Sequence, residues 1–98
     1  MPELTKIIHE RSRLLILTYL ASNRAIEVSF NDIRAKFNLT PGNLSVQLKK
    51  LSEAEYVSIS KSFRDNKPHT AVSITMKGIK ALNNYLEEIE DLIKGLRG

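Results

Sequence analysis

The chain has 98 residues, 15 lysines and arginines against 11 acids, a formal charge of +4, and no cysteine. Disulfides and cysteine-bound metals are excluded, one modest core fits this length, and the charge favours a polyanionic partner without requiring one. The N-terminal apolar residues are interrupted by Glu3, Lys6, His9, Glu10, Arg11 and Arg13, and their longest run is residues 14–17; neither signal peptide nor membrane span is expected, and the default compartment is the cytoplasm.

Residues 3–22 read as one helix, with Pro2 suited to its first turn. Leu4, Ile8, Leu15 and Tyr19 share one face and Leu14, Leu17 and Ala21 another, so residues 14–17 are expected to be buried on more than one side. The helix should stop near Ser22-Asn23-Arg24. Residues 26–30 alternate apolar and polar as a short strand does. Asn31 can cap a second helix over residues 32–38, with Ile33 and Phe37 facing inward. Thr40 is a good N-cap and Pro41 a good first helical residue, so a third helix begins there and runs to about Ala54. Residues 56–63 predict a strand with Val57, Ile59 and Phe63 on one face. Residues 64–68 predict a polar loop, and 70–75 a returning strand with Val72 and Ile74 inward. Residues 76–96 predict a last, long helix, with no repeats, low-complexity segments or long linkers anywhere.

The third helix carries the most information. Leu44, Leu48 and Leu51, spaced four and three, form one apolar stripe. The rest of the surface offers Asn43, Ser45, Gln47, Lys49 and Lys50, with no acid before Glu53. Amides on such a helix can read base edges in a DNA major groove while cations meet phosphates. A plain amphipathic helix with a solvated polar face has the same pattern. The β-hairpin that follows directly favours the DNA reading.

The order helix, strand, helix, turn, helix, hairpin, helix is the winged-helix plan. The sequence resembles the winged helix-turn-helix domains of the MarR/ArsR-like prokaryotic regulators. The resemblance rests on Leu39, Thr40, Gly42, Asn43 and Leu44, then Lys49, Lys50, Leu51, Glu53, Ala54 and Tyr56, and later on Ile74, Thr75 and Gly78. It implies an α+β, mostly α fold: a winged helix-turn-helix with a three-stranded sheet (short strand plus wing hairpin) and a long C-terminal dimerisation helix. The whole chain, 1–98, is read as one such domain: helix-turn-helix about 31–54, wing about 56–75, dimerisation helix about 76–96. Two positions depart from the family pattern. Gln47 stands where a histidine is often found, and Glu55 where a glycine commonly ends the helix. Glu55 must therefore accept a left-handed conformation or end the helix differently.

The expected DNA contacts are Thr40, Pro41, Gly42, Asn43, Ser45, Gln47, Lys49 and Lys50 on the helix and Lys61, Arg64, Lys67 and His69 on the wing. Asn43 and Gln47 suit an adenine edge, and Pro41 and Gly42 are small enough to bring the helix start to a phosphate. A wing tip is charged in most proteins, but Arg64 there suits a minor groove or a phosphate. Ile79, Leu82, Leu86, Ile89, Ile93 and Leu96, spaced three, four, three, four, three, form an unbroken seam widened by Tyr85 and Leu92. That seam is expected to pair with its copy, though a helix lying on its own core would look similar. His9-Glu10 lacks the second histidine of a zinc helix, and no serine, histidine and acid spacing suggests a nucleophile.

The expected protein is thus a homodimeric, sequence-specific, double-stranded-DNA-binding transcriptional regulator, with no enzyme activity, cofactor, metal or membrane partner. Other readings are a protein-interaction module and an architectural DNA binder without sequence preference. The family resemblance also allows a small-molecule effector in an apolar cleft between the first and last helices.

Overall fold

A computed structural model describes residues 7–8 and 10–97. In chain order they form α1 (Arg11–Ser22), β1 (Val28–Ser29), α2 (Phe30–Phe37), α3 (Pro41–Glu53), β2 (Val57–Arg64), β3 (Lys67–Ile74) and α4 (Met76–Arg97). The strands make one antiparallel sheet in the order β1-β3-β2. This is the expected winged helix: α1 packs on α4, β3 and α3, and the sheet closes the other side of the core. The core is built from Ile16, Leu17 and Leu20 of α1, Leu44, Leu48 and Leu51 of α3, Val57 and Val72 of the hairpin, and Leu82 and Tyr85 of α4.

The single helix expected over 3–22 is interrupted. Glu10 has extended backbone (φ −65°, ψ 131°) and caps α1, its carboxylate accepting the Arg13 N–H at 3.1 Å. An acceptor that satisfies a free N–H of the first turn favours a new helix start over continuation. Pro2, Leu4 and His9 lie outside the described residues. Within α1 the fully buried set is Ile16, Leu17 and Leu20, while Leu14, Leu15 and Tyr19 are half-buried. Tyr19 meets Phe37 of α2 edge to face, ring centroids 5.7 Å apart.

The five-residue strand expected over 26–30 shrinks to Val28 and Ser29, opposite Val72 and Ala71. Ile26 is 63% exposed and Phe30 is already helical. The cap of α2 is Ser29 rather than Asn31: its hydroxyl accepts the Asp32 N–H at 3.0 Å. Alternation marks which residues could share a face, but a neighbouring strand must exist for them to pair, and β3 reaches only these two. Helix α2 ends on Asn38 in the left-handed conformation (φ 52°), with Leu39 N–H bonded to the Arg34 carbonyl at 3.0 Å.

The hairpin is tighter than expected. The loop is Asp65-Asn66 alone, both with positive φ (51° and 63°), flanked by the pair Arg64 and Lys67. A turn of this mirror-image type matches the strand twist, and Asp and Asn tolerate the conformation. Pro68 therefore lies in β3, opposite Phe63. That pair is the first beyond a two-residue turn and is not hydrogen-bonded, so proline's missing N–H costs the ladder nothing.

The end of α3 is locked to the start of α4. Glu55 takes the left-handed conformation (φ 66°) that a glycine would adopt without strain. Its carbonyl accepts the Thr75 hydroxyl at 2.7 Å, and that hydroxyl accepts the Gly78 N–H at 3.0 Å. The Tyr56 carbonyl accepts the Thr75 N–H at 3.0 Å. Gly78 presses on this point: a Cβ there would overlap the Tyr56 carbonyl oxygen and lie 2.9 Å from Ile74 Cγ1. Tyr56 is itself fully buried, and burial pushes the pKa of its hydroxyl up.

Two stability changes follow from this junction. Gly78→Ala should cost about 1–3 kcal/mol through overpacking against backbone that cannot yield. Glu55→Gly should gain about 0.5–1 kcal/mol by relieving the left-handed strain, since the exposed Lys77 pair it loses adds little. Denaturant melts of the two variants measure both.

Candidate nucleic-acid interface

Leu44, Leu48 and Leu51 are all buried, so α3 is pinned to the core by one stripe and its opposite side is fixed by helical geometry. Thr40 caps the helix as expected, its hydroxyl accepting the Asn43 N–H at 3.1 Å, and Pro41 occupies the first turn. Thr40, Pro41, Gly42, Asn43, Ser45, Lys49 and Lys50 are exposed. A Cβ on Gly42 would meet nothing within 4 Å. No internal contact therefore demands glycine there, while its small size leaves the helix start open to close approach.

Gln47 differs from its neighbours. It is half-buried and its amide is engaged on both sides. Its Oε1 accepts from Arg13 Nη1 of α1 at 3.0 Å, and its Nε2 donates to Asn43 Oδ1 at 3.1 Å. Arg13 is held in turn: its Nε donates to the Ile7 carbonyl, and its guanidinium lies 3.9 Å from the Glu10 carboxylate.

Between α3 and the sheet runs an open groove of about 480 Å³. Ser45, Lys49, Ser52 and Glu53 line it from α3, and Ile59, Lys61 and Thr70 from the hairpin. A smaller polar recess of about 180 Å³ lies where His69 and Thr70 meet Ser29 and Asn31 at the start of α2. Neither borders α1 or α4, between which the family resemblance allows an effector cleft.

The wing residues split by strand parity. Lys61 shares a sheet face with Ile59, Phe63, Pro68 and Thr70 and lines the groove with Ile59 and Thr70, whereas Arg64, Lys67 and His69 lie on the reverse face. Lys61, Arg64 and Lys67 are exposed, and His69 is half-buried. The fold therefore brings Lys61 to the α3 cations but sets His69 beside α2.

Three residues at or behind this surface were not singled out from sequence. Val46 is 51% exposed, about 200° around α3 from Leu44 and so in the middle of the outer face. A helical wheel would have found it. Phe63, read from the sequence only as sharing a face with Val57 and Ile59, is 76% exposed because β2 runs beyond the core. Arg13 sits 34 residues from Gln47, and nothing local in the sequence links them.

Residues 12–93 match a family model described as a winged helix DNA-binding domain. MJ0432, an uncharacterized protein of Methanocaldococcus jannaschii, is 40% identical over 91 residues, 93% of this chain and 97% of that protein. A transcriptional regulator homologue from Pyrococcus horikoshii superposes with a TM-score of 0.85 at 31% identity, covering 93% of this chain and 88% of that one. MepR of Staphylococcus aureus, in its complex with DNA, shares the fold with a TM-score of 0.77 at 17% identity, covering 96% and 75% of the two chains. With the capped helix-turn-helix, the hairpin and the open α3 face in place, the match over 12–93 settles the family: the chain belongs to the winged-helix DNA-binding domains.

Proposed function

We propose that this chain is a sequence-specific regulator of transcription that binds double-stranded DNA as a homodimer. The observation that carries the reading is the outer face of α3. Gly42, Val46, Lys49 and Lys50 are exposed on a helix whose other side is locked into the core, so nothing among the described residues covers the surface. A helix of this diameter enters a major groove, which protein backbone and long cations can line without unfolding.

In this reading Thr40, Asn43, Ser45 and Val46 face base edges, with Val46 suited to a thymine methyl. Gln47 governs base discrimination with Asn43. The open start at Pro41 and Gly42 approaches a phosphate, and Lys49, Lys50, Lys61 and Lys67 neutralise others. Arg64 supplies the wing contact, with His69 behind it. The relatives support the assignment: the Pyrococcus protein is described as a transcriptional regulator homologue, and MepR has been captured on DNA. A regulator of this kind works where a prokaryotic chromosome lies, in the cytoplasm. Among the described residues no helix is long and apolar enough to cross a membrane.

The dimer rests on α4. Its first half serves the core, with Leu82 and Tyr85 buried and Ile79 and Ile89 half-buried. From residue 90 onward every described side chain is exposed, including Leu92 (61%), Ile93 (41%) and Leu96 (88%), and Leu86 joins them at 43%. The helix spans 22 residues, ~33 Å, and stretches the molecule to 57 × 25 × 21 Å. An apolar stripe on a projecting helix is stabilised by a second copy, each fully buried leucine or isoleucine contributing about 1.5–3 kcal/mol. Two copies related by a two-fold axis then place their α3 helices in half-sites ~34–36 Å apart.

Lys50→Ala should weaken binding to every duplex and reduce the slope of log affinity against log salt by about one, whereas Gln47→Ala should alter sequence preference. Equal effects of both on random and selected DNA would contradict the division of labour. Ile93→Glu should convert a dimer to a helical monomer by light scattering, with loss of two-half-site binding. A wild-type monomer, free and on DNA, would remove the dimer.

A further inference from the structure

We propose that Arg13 fixes the hydrogen-bond polarity of the recognition surface, so that Asn43 offers DNA a donor and selects an acceptor-bearing base edge. The inference rests on the DNA reading above and deepens it.

A guanidinium has donors only. The Gln47 atom that faces Arg13 Nη1 must therefore be its carbonyl oxygen, whichever way the amide might otherwise turn. The Gln47 NH2 then points the other way, along α3 toward Asn43, and the Asn43 atom that meets it must be Oδ1. One cation thus dictates the sense of two amides in series. Arg13 is well placed to do so, because its side chain is only 12% exposed and its Nε is anchored on the Ile7 carbonyl. It is not free to swing away when DNA arrives.

The consequence appears at the exposed end of the relay. Asn43 Oδ1 is turned along the helix toward Gln47, one turn on, and Nδ2 donates to no group among the described residues. An unconstrained asparagine pairs with adenine by accepting from N6–H2 while donating to N7. Asn43 Oδ1 already spends one of its two lone pairs on Gln47 and is turned along the helix, which leaves Nδ2 as the group presented outward. The donor that remains suits guanine, with acceptors at O6 and N7, or thymine O4; adenine N7 could also accept it, but the N6–H2 beside N7 would then lack its acceptor, which ranks adenine below them. Gln47, half-buried and bonded at both ends, becomes a positioning residue that acts through Asn43 rather than a reader of its own base.

Gln47→Glu inverts the relay without disturbing its anchor. The introduced carboxylate still accepts from Arg13, but it has no donor for Asn43. Asn43 must then turn its NH2 inward to the carboxylate and present Oδ1 to the groove, where cytosine N4–H2 or adenine N6–H2 would satisfy it.

The test is selection of bound duplexes from a random pool by wild-type protein and by Asn43→Ala, Gln47→Glu and Arg13→Met. Asn43→Ala should flatten preference at one position per half-site, and wild type should enrich guanine or thymine there. Gln47→Glu should switch that same position to cytosine or adenine, with a change in enrichment ratio of roughly tenfold, while preferences elsewhere persist. Arg13→Met, checked for folding by a thermal melt, should leave the position degenerate instead of switched. A purely structural role for Gln47 would weaken binding without moving that base. If Gln47→Glu binds with the wild-type preference at every position, or if Asn43→Ala flattens none, the relay is overturned. If wild-type protein retains no duplex at all, the DNA reading falls first and takes the relay with it.

Discussion

The junction between residues 55–56 and 75–78 governs the architecture. There the Thr75 hydroxyl bridges the Glu55 carbonyl and the Gly78 N–H, the Thr75 N–H meets the Tyr56 carbonyl, and Gly78 lies against that same carbonyl. Helices α3 and α4 are each stiff, so fixing the end of one against the start of the other fixes their mutual angle along their whole length. The buried Tyr56 carbonyl needs a partner, and the Thr75 N–H supplies it only at one spacing of the two helices. The outer face of α3 and the exposed apolar stripe of α4, which the proposed function assigns to DNA and to a second copy, are thereby held in one rigid relation. That relation is what a two-fold site would read.

Away from the junction, the surface follows from what the core consumes. Leu44, Leu48 and Leu51 spend one side of α3 on packing, which leaves Gly42, Val46, Lys49 and Lys50 outward. The hairpin does the same by parity: Val57 and Val72 enter the core, and farther out the same face carries Lys61 and Phe63 beside the α3 groove. Helix α4 runs past the body it packs on, so its later apolar residues have nothing among the described residues to cover them. Buried apolar area dominates folding free energy, and the functional surfaces are the part of the pattern left over once that demand is met.

The network from Arg13 to Asn43 is a different sort of constraint. It contributes little area, yet it assigns a direction to groups that could otherwise face either way. Hydrogen bonds to a charged donor are strong enough to hold a neighbouring amide in one orientation. It also ties α1, which packs on α4, to Gln47 and Asn43 of α3.

Much of this was legible in the sequence. The leucine stripe of α3, the Thr40-Pro41 start, the strand-turn-strand of the wing and the long last helix all rest on local periodicity and on capping chemistry that acts within a few residues. For Glu55 the sequence left two choices, a left-handed conformation or a different helix end, and the structure takes the first. Element limits were less legible. Glu10 caps a fresh start inside the helix expected over 3–22, Ser29 rather than Asn31 caps α2, and only Asp65-Asn66 form the wing turn, since each choice depends on which partner group is near in space. The sequence by itself determined which residues could form each helix and strand and which side of each was apolar. Only the tertiary structure decided how far each element runs, that Gln47 answers to Arg13, and that half of the last seam stays uncovered, because those depend on contacts between residues far apart in the chain.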